Sequence, residues 1–169
     1  SIRRRQRQMC IRDRFHIIII GILSCFAMDL WQRILKLLFG INPSDWSVVG
    51  RWFVLLISKG KIYSPNIDNE AVIKNELSIG WLVHYGVAIM YSGAFFMLIK
   101  QQIFIASFFD GIKFGLASVV VPWFFFMPIL GKGFLAIKTP SPLLACSSAI
   151  WSHTVIGISI ALLFQFFGY

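Results

Sequence analysis

Four long blocks of apolar residues constrain this chain more than any other feature of its sequence. A helix that crosses the hydrocarbon core of a bilayer needs about 20 consecutive, mostly apolar residues. Four segments meet this requirement: residues 15–39, 80–99, 104–130 and 143–167. Hydrophobic residues make up 57% of the chain and charged residues only 14%, a balance that water-soluble domains seldom reach. The sequence therefore predicts an all-α fold, in which residues 15–169 form a single integral membrane domain with a bundle of four transmembrane helices.

Residues 1–14 differ sharply from this pattern. They hold six arginines and one aspartate, and they supply five of the nine net positive charges of the chain. Their sequence, RRRQRQMCIRDR, resembles a translated sequencing adapter. We therefore interpret residues 1–14 as a non-native arm and leave them out of the fold prediction. The alternative is a native basic arm that binds anionic lipid. Under the first interpretation the native N-terminus is missing, and the charge gives no support for nucleic-acid binding.

The connection between the first two blocks, residues 40–79, is the only long one. Within it, residues 45–58 have apolar residues at helical spacing and predict a short amphipathic helix, with Ser44 as its N-cap. This helix is too short to span the bilayer, so we expect it at the cytoplasmic interface or packed under the bundle. The polar residues that follow it predict a loop.

The distribution of lysine and arginine predicts the orientation, because cytoplasmic connections are enriched in these residues. The opposite side holds Lys100 and Lys113. The long first connection and the short third connection hold eight such residues: Arg33, Lys36, Arg51, Lys59, Lys61, Lys74, Lys132 and Lys138. We therefore expect a multi-pass protein of the bacterial inner membrane, with the long connection in the cytoplasm and both termini outside.

Three of the ionisable residues inside the predicted spans are of a type that binds metals or carries protons and lie well inside the bundle, where such groups are costly and usually face the interior. Asp29, His84 and His153 all lie in the half of the bundle nearer the cytoplasm. A carboxylate and neutral imidazoles are common in zinc sites and in proton relays. We predict that these three line an intramembrane polar site, and that Arg51 closes it from the cytoplasm or pairs with Asp29.

Simpler structural roles are open for the same residues. Asp29 precedes Arg33 by four residues, a spacing that suits an ion pair along one helix face. A single histidine in a helix can also serve one structural hydrogen bond, and Cys25 and Cys146 suit the role of small buried side chains. No metal-binding spacing, disulfide framework or catalytic motif is present in the sequence, so the cofactor is unknown, no metal is assigned and the sequence favours a non-enzyme.

The third span contains two further features that affect helix packing. Pro122 lacks a backbone N–H and predicts a helix kink. Gly111 and Gly115 are four residues apart, a spacing that permits close approach of two helices. Asp110 and Lys113 lie one turn apart, which favours a structural ion pair.

The order of several motifs resembles a bacterial membrane family without an assigned activity, the domain-of-unknown-function family 2938. The resemblance covers nearly all of residues 15–169. It implies an integral membrane protein of four helices and supplies no reaction. The motifs are MDLWQRILKLLFG (28–40), VGRWF (49–53), WLVHYGVAI (81–89), VPWFFFMPILGKGF (121–134), KTPSP (138–142) and SHTVIG (152–157). The matching polar or special positions are Asp29, Arg51, His84, Pro122 and His153.

Three hypotheses for the function follow from the sequence. The first is a small transporter or ion- or proton-handling protein, for which we expect a homodimer in the lipid bilayer because four helices are few for a solitary transporter. The second is a membrane-embedded enzyme, with or without metal assistance. The third is a non-catalytic accessory subunit that uses its glycine-rich helix faces for assembly.

Overall fold

The computed structural model describes the backbone of residues 2–169 and the side chains of residues 11–169. The interpretation of residues 1–14 as a non-native arm falls mostly outside the described side chains and stays a prediction. Every regular element of the described backbone is helical: α1 (Ile2–Phe39), α2 (Trp46–Lys59), α3 (Glu76–Lys100), α4 (Phe108–Ser118), α5 (Met127–Ile129) and α6 (Pro142–Phe166). Short 3-10 turns cover Ile67–Asn69 and Phe134–Ala136, and a π-helical segment covers Pro122–Phe126.

Four helical segments are long and apolar enough to cross a membrane, which confirms the predicted all-α, four-span fold. They are Ile11–Phe39, Glu76–Lys100, Phe108–Ile129 and Pro142–Phe166. The shortest has 22 residues, which is sufficient for a hydrocarbon core of about 30 Å at about 1.5 Å per residue. Large apolar side chains such as Leu82 on α3 are exposed, as expected of helix faces in contact with lipid.

Helix α1 packs against α3 and α6, and α4 also packs against α6. Glycines allow α4 and α6 to approach closely. A Cβ added to Gly115 would lie 2.7 Å from the Cα of Thr154, and a Cβ on Gly157 would lie 2.7 Å from the Cα of Gly115. The glycine step of α4 is therefore used inside the chain, and it is not left free for the assembly contact that the accessory-subunit hypothesis requires.

Helix α2 occupies most of the predicted residues 45–58 and packs against α3. The two backbones approach closely at Gly50 and Gly80, where an added Cβ on either residue would overlap the opposite backbone. The prediction of Ser44 as N-cap is wrong. Asp45 has the extended backbone of an N-cap and its side chain accepts a hydrogen bond from the Ser47 amide at 2.9 Å. The placement of helix α2 at the cytoplasmic interface stays a prediction.

An aromatic core fills the half of the bundle where α1 begins and α6 ends. Phe95 of α3 lies 5.2 Å from Phe114 of α4 and 5.9 Å from Phe164 of α6, measured between ring centroids. Ile20 and Ile160 are fully buried in the same cluster. The cavity described below lies in the other half of the bundle.

The third span is irregular around Pro122. Helix α4 ends at Ser118, and the π-helical segment Pro122–Phe126 leads into α5. A proline cannot donate the backbone hydrogen bond of a regular helix, and wider π-type turns are one way to accommodate that loss. The irregular segment borders the open half of the bundle.

Candidate functional site

The candidate site begins with two residues of α1. Cys25 and Asp29 are four residues apart, so they lie on the same face of the helix. Both are buried, with 0% and 7% of their surface exposed. Gly21, one turn before Cys25, lies where an added Cβ would come within 2.6 Å of the Ile89 Cα. This close packing of α1 on α3 brings the side chains of the two helices into direct contact.

His84 of α3 meets both residues of α1. Its Nε2 atom lies 2.9 Å from Asp29 Oδ1 and 3.2 Å from Cys25 Sγ. Tyr85, the next residue, donates its hydroxyl hydrogen to Asp29 Oδ2 at 3.1 Å. Both oxygens of the Asp29 carboxylate thus have partners, and the ligand atoms of Cys25, Asp29 and His84 all lie within 4.8 Å of one another. We call these three residues the buried cluster.

Trp46, the first residue of α2, covers the imidazole of His84. The two rings are stacked, with their centroids 3.7 Å apart and an angle of 19° between their planes. The ring of Trp81 also lies near His84, at a centroid distance of 5.7 Å. Stacking fixes the plane of the His84 ring, so its Nε2 is held toward Asp29 and Cys25.

A partly open cavity of about 690 Å³ reaches this cluster from the end of the bundle that carries the α1–α2 connection. His84 lines it, together with Trp46, while Cys25 and Asp29 are not among the lining residues. The wall also includes polar side chains from α1, the connections and α6: Gln32, Asp45, Lys132, Ser141, Ser148, Ser152 and His153. The buried cluster therefore has one face, that of His84, toward the cavity.

His153 faces the same cavity from α6, but it is not hydrogen-bonded to Asp29 or His84. Its Nδ1 lies 2.8 Å from the hydroxyl oxygen of Ser118, and that hydroxyl donates to the Gly115 carbonyl at 2.7 Å. Because the serine hydrogen is already donated to the Gly115 carbonyl, the hydrogen of the His153–Ser118 bond comes from Nδ1 of His153. Of the three residues predicted to form one site, Asp29 and His84 are in direct contact. His153 lines the same cavity as His84 but is hydrogen-bonded to neither of them.

Arg51 has a different position from the predicted one. Its guanidinium forms two hydrogen bonds to the Glu76 carboxylate, at 2.8 and 2.7 Å, and donates to the carbonyl of Ile67 at 3.0 Å and that of Glu70 at 3.1 Å. The hydrogen bond to Glu76 raises the pKa of Arg51 above its usual value. The predicted pairing of Arg51 with Asp29 is therefore wrong. Its guanidinium hydrogens are instead donated to the Glu76 carboxylate and to two loop carbonyls. Arg51 does not line the cavity either. Its hydrogen bonds connect the loop between α2 and α3 to both helices.

A second ion pair holds the same loop. Lys61 donates to the Glu70 carboxylate. This contact lowers the pKa of Glu70, so the pair contributes stability at neutral pH and loses it as the pH falls and the carboxylate is protonated. Both groups are partly exposed, and solvent weakens the pair accordingly.

The proposed structural pairing of Asp29 with Arg33 is also wrong. Arg33 is exposed and forms no ion pair within the described side chains, whereas Asp29 is turned inward to His84 and Tyr85. Sequence reasoning missed Cys25, Tyr85 and Trp46 as neighbours of His84. The one available signal was the four-residue spacing of Cys25 and Asp29, which places a thiol and a carboxylate on one helix face.

The arrangement of donors limits the chemistry of the buried cluster. In a nucleophile–histidine–carboxylate triad, the carboxylate orients one ring nitrogen and the nucleophile faces the other. Here the same atom, Nε2, faces both the thiol and the carboxylate. A nucleophilic relay is therefore unsuited to this geometry, whereas a small cation or a proton at one central point can be shared by all three side chains.

Comparison with protein families gives one match. The family described as "Protein of unknown function (DUF2938)" matches residues 18–164. The chain belongs to this family. No curated protein and no solved structure matched the chain. The match to DUF2938 covers all four spans in large part, including the buried cluster, the cavity and His153, but the family carries no assigned activity from which a role for these residues could be taken.

Proposed function

We propose that this chain is a small ion-handling membrane protein in which a proton or a small cation enters the cavity and is exchanged at Asp29 and His84. The observation that carries the proposal is the direct contact of these two buried, ionisable side chains at the wall of a cavity inside four apolar helices. Ionisable groups are costly in the hydrocarbon region and usually mark the path of an ion or proton.

The depth of the pair supports this role. Asp29 lies ten residues before the end of α1, which corresponds to about 15 Å along the helix axis. His84 lies eight residues after the start of α3, or about 12 Å. A pair at this depth gives a cation a polar partner well below the level of the lipid headgroups.

The aromatic core suggests where the barrier to passage lies. Phe95, Phe114 and Phe164 fill the half of the bundle beyond the cavity. Under the proposal, an ion reaches Asp29 and His84 from the cavity, and release on the other side requires the aromatic side chains to move apart. Such alternation between two accessible states is the usual mode of secondary transporters.

The proposal places the protein in the bacterial inner membrane, with the cavity open to the cytoplasm and both termini outside. The bias of lysine and arginine toward the long and the third connections supports this orientation. We further propose a homodimer, because four spans form a small bundle for a solitary transporter. Exposed apolar faces on all four spans are available for lipid and for a second copy.

Flux measurements in liposomes test the proposal. Purified full-length protein is reconstituted with an encapsulated pH-sensitive dye, and in a separate preparation with a zinc-sensitive dye, and each ion is driven inward by a potassium diffusion potential. We expect one of the two fluxes to exceed that of protein-free liposomes, and Asp29→Asn and His84→Asn to abolish it. His16→Asn is the matched control, because His16 contacts Tyr169 at the opposite end of the bundle and does not line the cavity.

Two flux results would overturn the proposal. If neither flux exceeds the protein-free level, or if the flux is the same in Asp29→Asn and His84→Asn as in the unaltered protein, the chain does not handle these ions at this site. Equal amounts of reconstituted protein, checked for each variant, separate a loss of flux from a loss of protein.

A membrane-embedded enzyme is the second candidate, and the size of the cavity favours it. A volume of about 690 Å³ exceeds the need of a single ion and falls in the range of pockets for small organic molecules. Lys132, Ser148 and His153 would supply polar contacts to such a molecule. Thermal stabilisation of the purified protein by organic solutes of a membrane extract, lost on Ser148→Leu, would favour this reading over ion transport.

A further inference from the structure

We propose that Cys25, Asp29 and His84 form a binding site for one transition-metal dication of the zinc class. This inference rests on the proposed ion-handling function and names the class of ion. A thiol sulfur, a carboxylate oxygen and an imidazole nitrogen lie within 4.8 Å of one another, contributed by two helices that are packed closely together. These are the three kinds of donor that zinc sites in proteins use.

The distances between the donor atoms suit a tetrahedral ion after a small adjustment. Bonds of about 2.0 Å to nitrogen and oxygen and about 2.3 Å to sulfur place neighbouring ligand atoms about 3.3 to 3.6 Å apart. His84 Nε2 lies 2.9 Å from Asp29 Oδ1 and 3.2 Å from Cys25 Sγ. These two distances need to lengthen by only a few tenths of an ångström, and the sulfur and carboxylate donors lie within 4.8 Å of each other, so side-chain torsions of Cys25 and Asp29 would admit the ion.

Hydrogen bonding alone does not explain why the Cys25 thiol and the Asp29 carboxylate both approach Nε2 of His84. Nε2 of an imidazole has either one hydrogen or one lone pair, so it cannot donate to Asp29 and accept from Cys25 at the same time. A metal ion at the centre would satisfy the thiolate, the carboxylate and the imidazole together. The thiol proton would leave as the ion binds, as it does when cysteine becomes a metal ligand.

Charge balance points to a dication. A thiolate and a carboxylate carry two negative charges, and a neutral imidazole carries none. A dication bound by Cys25, Asp29 and His84 would therefore form a site with no net charge, which is favourable in the low-dielectric interior of a membrane. Sulfur and nitrogen donors select zinc-class ions over magnesium and calcium, which prefer oxygen ligands.

The residues around the cluster hold the donors in place. Tyr85 donates to the second oxygen of Asp29, which leaves Oδ1 for the ion, and Trp46 stacks on His84 and fixes its ring plane. Such contacts orient metal ligands in many proteins. Three protein donors leave one position of a tetrahedral ion for water or for a ligand from the cavity, which His84 lines.

Cobalt binding tests the site, because Co²⁺ substitutes for zinc-class ions and a thiolate ligand produces a near-ultraviolet charge-transfer band. Full-length protein in detergent is stripped with a chelator and titrated with Co²⁺. We expect one ion per chain and a sulfur charge-transfer band. Loss of outer contacts costs about 10- to 100-fold in metal affinity, so removal of a ligand in Cys25→Ser, Asp29→Asn or His84→Asn should cost about 100-fold or more.

Two matched controls identify the ligands. Cys146→Ser removes the other cysteine within the described side chains, and His153→Asn removes the other histidine of the cavity. Both should retain the ion and the band. Gel filtration and melting temperature check that each variant is folded, and if Cys25→Ser is not, Asp29→Asn and His84→Asn give the same test through affinity alone.

The results separate this inference from the ion-handling function. Absence of Co²⁺ binding, or a band that survives Cys25→Ser and vanishes in Cys146→Ser, overturns the metal site. If proton flux still depends on Asp29 and His84 in that case, the ion-handling proposal stands without it. Conversely, Co²⁺ bound at the cluster of a protein without any flux supports the metal site and overturns the transport proposal.

Discussion

At the scale of the residue, the connection between α2 and α3 is held by a charge pair that the sequence did not identify. Arg51 and Glu76 are both buried, and the guanidinium also serves two loop carbonyls. A buried charge that loses its partner is strongly unfavourable, since its desolvation is no longer compensated. Loss of either Arg51 or Glu76 should therefore destabilise the folded protein, even if the intact pair adds little net stability.

Replacement of Arg51 by alanine should lower the free energy of unfolding by about 3 kcal/mol, because it leaves the Glu76 carboxylate without a partner in a buried position. The double variant Arg51→Met/Glu76→Leu should recover part of this loss. Chemical denaturation in one detergent measures both. Lys61→Ala, which removes the partly exposed pair with Glu70, is the control and should cost far less than Arg51→Ala, because solvent weakens that pair. Equal losses in Arg51→Ala and Lys61→Ala would contradict the assignment.

At the scale of the element, small residues decide which helices pack together. The α4–α6 contact depends on Gly111, Gly115 and Gly157, and the α2–α3 contact on Gly50 and Gly80. Packing in membranes relies on close van der Waals contact, because lipid removes most of the hydrophobic drive for helix association. A single methyl group can therefore separate such helices.

Gly115→Ala should destabilise the protein by about 1 to 3 kcal/mol, since the new methyl group would meet the backbone of α6. Gly86→Ala on α3 is the matched control. Nothing lies within 4 Å of a Cβ at Gly86, so this change should leave stability within about 1 kcal/mol of the original. Melting temperatures in the same detergent compare the two. A melting temperature for Gly115→Ala as high as that of Gly86→Ala would show that the α4–α6 contact tolerates the extra volume.

At the scale of the whole molecule, the bundle has a filled half and an open half. The aromatic core occupies the half near the α3–α4 turn, and the cavity opens at the end with the α1–α2 connection. Access to the cavity from one side follows from this asymmetry. The charge distribution predicts that this side is the cytoplasm.

Labelling of introduced cysteines should show access from opposite sides. The background is Cys10→Ser/Cys146→Ser, which keeps Cys25 because that residue is fully buried. In this background, Ser148→Cys lies in the cavity wall and Gln101→Cys lies in the exposed turn after α3. A membrane-impermeant maleimide should label the first in inside-out vesicles and the second in right-side-out vesicles, as mass spectrometry can measure. Labelling of both cysteines from one side would refute the asymmetry, and labelling of Ser148→Cys from both sides would indicate a continuous pore.

The sequence by itself determined the helical membrane fold, because about 20 apolar residues in a row admit no other way to satisfy the backbone in lipid. It also singled out Asp29 and His84, because charge is rare in such segments. Only the tertiary structure decided their partners. Whether Asp29 meets Arg33, Arg51 or His84 depends on how each helix is rotated, and Gly21 and Gly50 set that rotation through contacts far apart in sequence. The four-residue spacing of Cys25 and Asp29 was visible from the start, but its meaning came from α3, which places a single imidazole nitrogen between them.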